Sequence, residues 1–404
     1  MDCEDAFEPL AHRFPTAQKI RLIFTVNADW VFRLHFLPFA QSLQKQGFDM
    51  TVIARDTGDG ATIRSAGVHF AHWPVTRAGR NPAREAAAML CLVRHYRRIK
   101  PDLVHHIGLK AICYGSVACR LLRLPTVHMF IGLGFAFRNQ EGQSSRYVLN
   151  RWLRALRGDA RSAVVFQNEA DYAYGLAQGW GHSEKMVVVG GVGVDLGLFQ
   201  YRPEPEPPPF VVVLASRMLW DKGVGEFVEA ARIVKRKWGR RVRFVLAGHD
   251  DAENPASVPR HILEKWHREG IVEWLRFRDD MPEILAGSHL VVLPSCYGEG
   301  VPKILLEAAC VGRAAVTTDW PGCRDAVRDG VTGLLVPPKD AKSLASAIDY
   351  LLEHPEVRRN MGVNARKLAE KEFTVHEFSN KMLKIYQKVL WGARTNGQRR
   401  CSEV

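Results

Sequence analysis

The sequence predicts an α/β protein built as two similar halves, each a largely parallel sheet wrapped by helices. Three observations predict it. Short apolar runs alternate with amphipathic stretches of helical length, the pattern of βαβ units. The alternation breaks once, at residues 200–209 (Gln-Tyr-Arg-Pro-Glu-Pro-Glu-Pro-Pro-Pro), and then restarts. A length of 404 residues exceeds the comfortable size of a single core.

In order, residues 1–19 read as a loose leader and 21–26 as the first strand. A helix is expected over 33–46, a strand over 48–54, a helix over 82–99 and a strand over 103–105. Helix 111–122, strand 126–130, a basic helix at 146–157, and strands 163–166 and 186–189 complete the first half, 20–199. The proline-rich stretch 200–209 cannot form the interior of an element and reads as a semi-rigid linker. Strand 210–215 and helix 223–237 open the second half, 210–373. Strands 243–247, 272–275, 290–293 and 314–317 follow. A final helix, 374–391, precedes a tail, 392–404. Two such halves imply a cleft between them, a preferred ligand site.

A hydrophobic content of 47% fits a globular chain rather than a disordered one. The eight cysteines are scattered without a Cys-x-x-Cys pair, so no zinc site or disulfide framework is expected, and reduced thiols in a cytosolic compartment are the simplest account. The acidic start (Asp2, Glu4, Asp5, Glu8) argues against a signal peptide, and no apolar run approaches the ~20 residues needed to span a bilayer. The formal charge of +13 is uneven: residues 71–160 hold fifteen Lys or Arg against four acids. Such a half attracts a polyanion. No helix-turn-helix, zinc finger or aromatic RNA-binding motif accompanies the charge, so an anionic lipid surface is favoured over nucleic acid.

The most informative stretch is Pro294-Ser-Cys-Tyr-Gly-Glu299-Gly300-Val-Pro302-Lys303-Ile-Leu-Leu-Glu307-Ala-Ala. Two carboxylates are separated by seven residues, just past a strand and around a helix start. Ligands of open α/β sheets bind at such strand ends. Carboxylates accept sugar or ribose hydroxyls, and the free donors of a first helical turn suit phosphate. Pro302 fits the first helical position, and Lys303 and Glu307 share a helix face. A second stretch, Ala215-Ser-Arg217-Met-Leu-Trp-Asp-Lys222-Gly223, places two cations past the first strand of the second half. Gly190-Gly-Val-Gly193-Val-Asp195 has the wrong spacing for a nicotinamide fingerprint.

These motifs resemble the donor site of retaining glycosyltransferases of family 4, whose Glu, seven residues, Glu motif is embedded as it is here. The resemblance covers about residues 20–391 and is strongest over 217–338. It implies the GT-B fold, in which two Rossmann-like domains face each other across a cleft and the last helix crosses back to the first domain. It further implies that Arg217 and Lys222 bind the donor diphosphate, that Glu307 holds the ribose and that Glu299 holds the transferred sugar, with Gly300 and Lys303 beside them. Negative charge grows on the leaving diphosphate, and a metal or side-chain cations must stabilise it. The chain has no Asp-x-Asp; the adjacent pairs Asp250-Asp251 and Asp279-Asp280 are expected to be solvated loop acids. Metal-independent compensation by Arg217 and Lys222 is therefore expected.

On the acceptor side the family often has His-x-His where this chain has His105-His106-Ile107. The usual histidine is absent or displaced to His106. Lys110, the glycines of Gly132-Leu-Gly134-Phe135, and Arg324 in Pro321-Gly-Cys-Arg resemble a subgroup acting on lipid-diphosphate-linked saccharides. That subgroup implies a nucleotide sugar, with uridine diphosphate favoured, and a polyprenyl-diphosphate-linked acceptor met at the cytoplasmic face of the inner membrane. Arg94, Arg97, Arg98 and Lys100, with Arg146, Arg151, Arg154 and Arg157 beside Tyr147, Leu149, Trp152, Leu153 and Leu156, form the expected membrane-facing surface. Two alternatives stay open: a same-fold enzyme for a soluble acceptor or a nucleotide-sugar epimerase, and a non-enzymatic polyanion-binding protein.

Overall fold

The computed structural model describes residues 19–76, 81–134, 143–158 and 161–401. The leader therefore lies outside the described residues. The chain divides into two compact units, Met1–Val192 with Phe378–Val404, and Gly193–Glu377.

In the first unit the described residues form one parallel sheet of seven strands: β1 (Ile20–Ala28), β2 (Phe48–Arg55), β3 (His69–His72), β4 (Leu103–Ile107), β5 (Thr126–Phe130), β6 (Ser162–Phe166) and β7 (Met186–Val188). Their order is β3-β2-β1-β4-β5-β6-β7, so the winding reverses between β1 and β4. The connecting helices are α1 (Asp29–His35), α2 (Leu37–Lys45), α3 (Gly60–Ser65), α4 (Pro82–Ile99), α5 (Leu109–Leu122), α6 (Gln143–Leu153) and α7 (Glu169–Ala177). The helix expected over 33–46 is split between α1 and α2, because Pro38 withholds a donor and disfavours helical backbone just before it. α4 starts as its sequence dictates. Asn81 accepts hydrogen bonds from the Ala83 and Arg84 amides, and Pro82 takes the first turn.

The second unit repeats the plan with six parallel strands: β8 (Phe210–Ala215), β9 (Val242–Ala247), β10 (Glu273–Trp274), β11 (Leu290–Leu293), β12 (Ala314–Thr318) and β13 (Gly333–Val336), in the order β10-β9-β8-β11-β12-β13. Its helices are α8 (Val224–Trp238), α9 (Arg260–Arg268), α10 (Met281–Ala286), α11 (Lys303–Cys310), α12 (Cys323–Ala326), α13 (Ala341–Glu353) and α14 (Pro355–Glu372). α15 (Val375–Cys401) then returns the chain to the first unit. There Phe378, Met382 and Tyr386 join Phe24, Phe39 and Phe48 in one core.

The proline-rich stretch is not a free connector. Buried Arg313 donates to the carbonyls of Arg202 (2.6 Å) and Pro203 (3.0 Å), and His289 meets the carbonyl of Pro205 at 3.0 Å. Arg358 clasps Glu204, with Nη2 2.8 Å from Oε2. A proline-rich chain has few internal hydrogen bonds to offer its carbonyls, so buried cations of the second unit satisfy them. The division accordingly falls at Val192, ahead of this stretch.

The basic helix also differs from expectation. α6 stops at Leu153, a 3-10 turn continues over Arg154–Gly158, and Leu153 and Leu156 are buried in the core, with Leu149 packed against them. The leucines that were to meet a membrane are holding the sheet. Tyr147 and Trp152 of the expected surface are exposed, with Val148, beside exposed Arg151 and Arg154. The side chains of Arg146 and Arg157 lie outside the described residues. Among the described residues no helix is long and apolar enough to cross a membrane.

Candidate active site

The parallel strands of the second sheet end along one edge, and the loops leaving it carry the residues singled out above. β8 leads to Arg217 and Lys222, β9 to Asp251, β11 to Ser295 and Glu299, and β12 to Pro321 and Arg324. The first of these loops is drawn tight against its neighbours. The Met218 amide donates to the carbonyl of His249 at 3.0 Å, and the Cys296 amide to that of Asp221 at 2.9 Å. Gly223 caps α8 at φ 77°, and a Cβ there would sit 2.2 Å from the carbonyl oxygen of Pro294. Only glycine allows both that backbone and that approach. The loops after β8 and β11 are thereby locked together.

That lock brings Lys222 to Glu299. The Lys222 ammonium forms an ion pair with Oε1 of Glu299, and each side chain is only 12% exposed. Ser295, fully buried, donates from Oγ to the same oxygen at 2.9 Å and accepts from the Tyr297 amide at 3.2 Å. Lys303 and Glu307 face each other on the first turns of α11, with Nζ 2.9 Å from Oε1. Pro302 caps this helix instead of occupying its first turn, with an extended ψ of 115°. Arg217 extends its guanidinium to Asp251, Nη1 to Oδ2 2.9 Å. Gly300 is backed by Gly322, whose φ is 83° and where a Cβ would lie 2.0 Å from the Gly300 carbonyl oxygen. One edge thus presents two cations from one loop, each oriented by a carboxylate, beside a second Lys–Glu pair. This can cradle an anion with hydroxyl-rich groups to either side.

Asp251 corrects an expectation. It is not a solvated loop acid; it is largely buried against Arg217, with its own amide donating to Ser257 Oγ at 3.0 Å. Asp250 departs from the expectation too: its side chain is only 16% exposed and pairs with Arg260, while the more exposed Asp280 pairs with Arg278. Arg324 remains exposed at the same edge, held by Asp319 at 3.1 Å.

In the first unit, His106 is corrected outright. β4 runs to Ile107, two residues beyond the expected end, and helices on both faces bury all of it. His106 has no exposed surface. Its Nδ1 lies 3.0 Å from Nδ1 of His128 and its Nε2 3.1 Å from the Tyr96 hydroxyl. Burial, reinforced by the neighbouring histidines, drives its pKa well below the usual histidine range. It is a neutral core residue. His105, on the other face, hydrogen-bonds the Tyr386 hydroxyl through Nδ1 at 2.6 Å, and burial lowers its pKa to about 3.

Lys110 does stand at the end of β4, in the first turn of α5, but its ammonium is engaged within the unit. It donates to the carbonyl of Thr76 at 2.5 Å and pairs with Glu85 at 3.2 Å. Gly132 and Gly134 follow β5 with φ of 111° and 58°, the backbone only glycine adopts readily. Phe135 lies outside the described residues. Sequence reasoning missed Asp29, which ends the β1 turn fully buried and accepts from the Thr57 and Asp59 amides at 2.8 and 2.9 Å. Burial alone would raise its pKa, but the hydrogen bonds from Thr57, Asp59 and Trp30 outweigh it and hold the carboxyl below its ordinary value. Its only signal was an acid directly after a strand.

Comparison with known proteins places both halves among glycosyl transferases. Residues 209–354 match the family described as glycosyl transferases group 1, and residues 21–168 match glycosyl transferase 4-like. The chain is 28% identical over 373 residues to the N,N'-diacetylbacillosaminyl-diphospho-undecaprenol alpha-1,3-N-acetylgalactosaminyltransferase of Campylobacter jejuni, covering 88% of this chain and 96% of that one. It is 23% identical over 359 residues to the UDP-Gal:alpha-D-GlcNAc-diphosphoundecaprenol alpha-1,3-galactosyltransferase of Escherichia coli, covering 85% and 90%. Among solved structures, Anabaena HepE in complex with UDP and glucose superposes with a TM-score of 0.74 at 20% identity, covering 91% of this chain and 99% of that one. Sucrose-phosphate synthase of Thermosynechococcus elongatus gives 0.76 at 19% identity, covering 92% and 99%. The fold is GT-B, and the chain is an enzyme that transfers sugars. Both halves carry glycosyl transferase domains, in keeping with the resemblance to family 4.

Proposed function

We propose that the chain moves a hexose or N-acetylhexosamine from a UDP-linked donor to a polyprenyl-diphosphate-linked saccharide, with retention of anomeric configuration. The observation that carries this reading is the Lys222–Glu299 pair at the C-terminal edge of the second sheet, with Arg217 in the same loop. The activities for which the Campylobacter and Escherichia relatives are named suggest the acceptor class. Glu307 takes the ribose and Glu299 the transferred sugar. The acceptor hydroxyl attacks the anomeric carbon from the face the diphosphate leaves, forming the new C–O bond as the old one breaks. The departing diphosphate, held by Arg217 and Lys222 without a metal, accepts the hydroxyl proton. Asp251 and Ser295 are positioning residues for Arg217 and Glu299. A panel of nucleotide sugars offered with washed bacterial lipid extract tests this. The expected product is lipid-linked and heavier by one sugar, in the same anomeric configuration, and is formed in the presence of EDTA. Sugar released only to water, or interconverted on the nucleotide, overturns the reading.

The acceptor's tail keeps it in the bilayer, so the enzyme works at the cytoplasmic face of the inner membrane. The exposed Arg151, Trp152 and Tyr147 of α6, with Arg154 after it, form the docking surface on this reading. Each surface arginine contributes up to about 1 kcal/mol of attraction to anionic lipid, reduced by salt. Replacing Arg151 and Arg154 by glutamine is expected to weaken co-sedimentation with phosphatidylglycerol vesicles while sparing donor binding. Unchanged co-sedimentation at low salt removes this surface from the proposal.

A further inference from the structure

The second sheet has another charged edge, at the opposite ends of its strands from Arg217 and Glu299. α8 runs out at Trp238, a turn over Gly239–Arg241 follows, and β9 begins at Val242. Seven of the twelve residues 232–243 are Lys or Arg, and none is acidic. The whole-chain charge tally hides this cluster because acids elsewhere in the chain offset it.

Part of the charge is neutralised locally. Lys237 pairs with Asp349 (2.8 Å) and with Glu353, and Arg243 pairs with Glu273. Lys235 and Arg240, with the Glu273-paired Arg243 beside them, line a hollow of about 440 Å³ together with Gly239, Val242 and Gly270. No acid lines it. An adjoining hollow of about 220 Å³ shares Lys235, Arg243 and Gly270 and reaches His267 and Glu273. The Lys235 ammonium donates only to the neutral carbonyl of Gly270, at 2.6 Å, among the described residues. Burial pulls its pKa below the usual lysine range, against the opposite pull of the Glu273 charge nearby. Arg240, exposed at the rim, has no hydrogen-bond or ion-pair partner among the described residues. Trp238 stiffens the turn: Arg241 lies 4.9 Å over its ring and its indole donates to Asp349 at 2.7 Å.

We infer that this hollow is a second anion site, built for a phosphate or diphosphate group and distinct from the donor loops. The Arg240 guanidinium, unpaired among the described residues, and the Lys235 ammonium, with Arg243 shared with Glu273, match phosphate oxygens better than a single carboxylate, since an arginine fork engages two such oxygens at once. The volume is at the lower end of the range for small-ligand pockets, about 300–1,000 Å³. A free phosphate compound and a lipid headgroup share this chemistry.

The test uses the full-length chain carrying Arg217→Ala and Lys222→Ala, which silences the donor loops. Pyrophosphate is titrated into it calorimetrically at low ionic strength, alongside the same chain with Arg240→Glu added. Arg240 makes no internal bond, so the added change leaves the melting temperature in place; Lys235→Met provides a second variant. Loss of one guanidinium contact and its reversal in sign is expected to weaken pyrophosphate binding about tenfold or more. Co-sedimentation with phosphatidylglycerol and with phosphatidylcholine vesicles separates the sources. A lipid-borne phosphate makes Arg240→Glu lose phosphatidylglycerol binding, which pyrophosphate also displaces; a free anion leaves vesicle binding equal. Equal pyrophosphate affinity and equal vesicle binding in all three proteins overturns the site. Donor binding, measured separately on the parent chain and on Arg240→Glu alone, is expected to be identical. Its absence from both strikes the transferase reading and leaves the anion site standing.

Discussion

Replacing Lys222 with alanine is expected to lower kcat/KM for the donor by about a hundredfold to a thousandfold, equivalent to roughly 3 kcal/mol of transition-state stabilisation. Two effects add. On the proposed mechanism the growing charge on the leaving diphosphate loses an ammonium, and Glu299 is left largely buried without its cation. Turnover should fall more than ground-state binding, because the charge develops mainly in the transition state. Glu299→Gln should also be severely impaired, and combining the two changes should cost less than the sum of the single losses. For two side chains in direct contact, the shortfall is on the order of 1–3 kcal/mol. Steady-state kinetics with calorimetric donor binding checks each term. Activity within threefold of the parent for Lys222→Ala removes this residue from the mechanism.

Glu204→Ala is expected to destabilise the second unit by about 3–5 kcal/mol, the cost of leaving a buried charge unpaired. Arg358 has no exposed surface and gives Nε and Nη2 to this one carboxylate, at 3.1 and 2.8 Å. Paired replacement, Glu204→Leu with Arg358→Met, should recover most of the loss, because no charge then stays inside. Urea unfolding should be fitted with separate transitions for the two units, since a chain of two domains need not unfold in one step. A loss under about 1 kcal/mol would mean that water reaches Arg358 when Glu204 is gone.

How much of this was legible in the sequence depended on whether the signal was local. Strands 126–130, 210–215 and 290–293 and helix 82–99 coincide with β5, β8, β11 and α4, because apolar runs bounded by turns and a proline-led helix start carry their own instructions. β3 and β13 were missed: the short His-Phe-Ala-His and Gly-Leu-Leu-Val runs become strands by pairing with β2 and β12. Within the site, Arg217, Lys222, Glu299 and Glu307 were found because each lies in a contiguous motif after a strand. Asp251 and Ser295 were not, because each gains its role only from a partner, Arg217 across two loops and Glu299 across one turn. His106 was misread for the converse reason. A histidine near a strand end looks available until the strand proves longer and the next histidine, His128, comes from a neighbouring strand.

The discontinuity of the first unit carries a consequence for biosynthesis. Its core needs Phe378, Met382 and Tyr386, which the ribosome adds only after the entire second unit has been made. At about 5–20 residues per second, the strands carrying Phe24 and Phe48 wait on the order of 15–70 s for the helix that covers them. The second unit, contiguous from Gly193 to Glu377, has no such delay and can mature first. In the nascent chain the domain begun first is therefore the last to close. During that interval its aromatic surface is the part of the protein most in need of a chaperone.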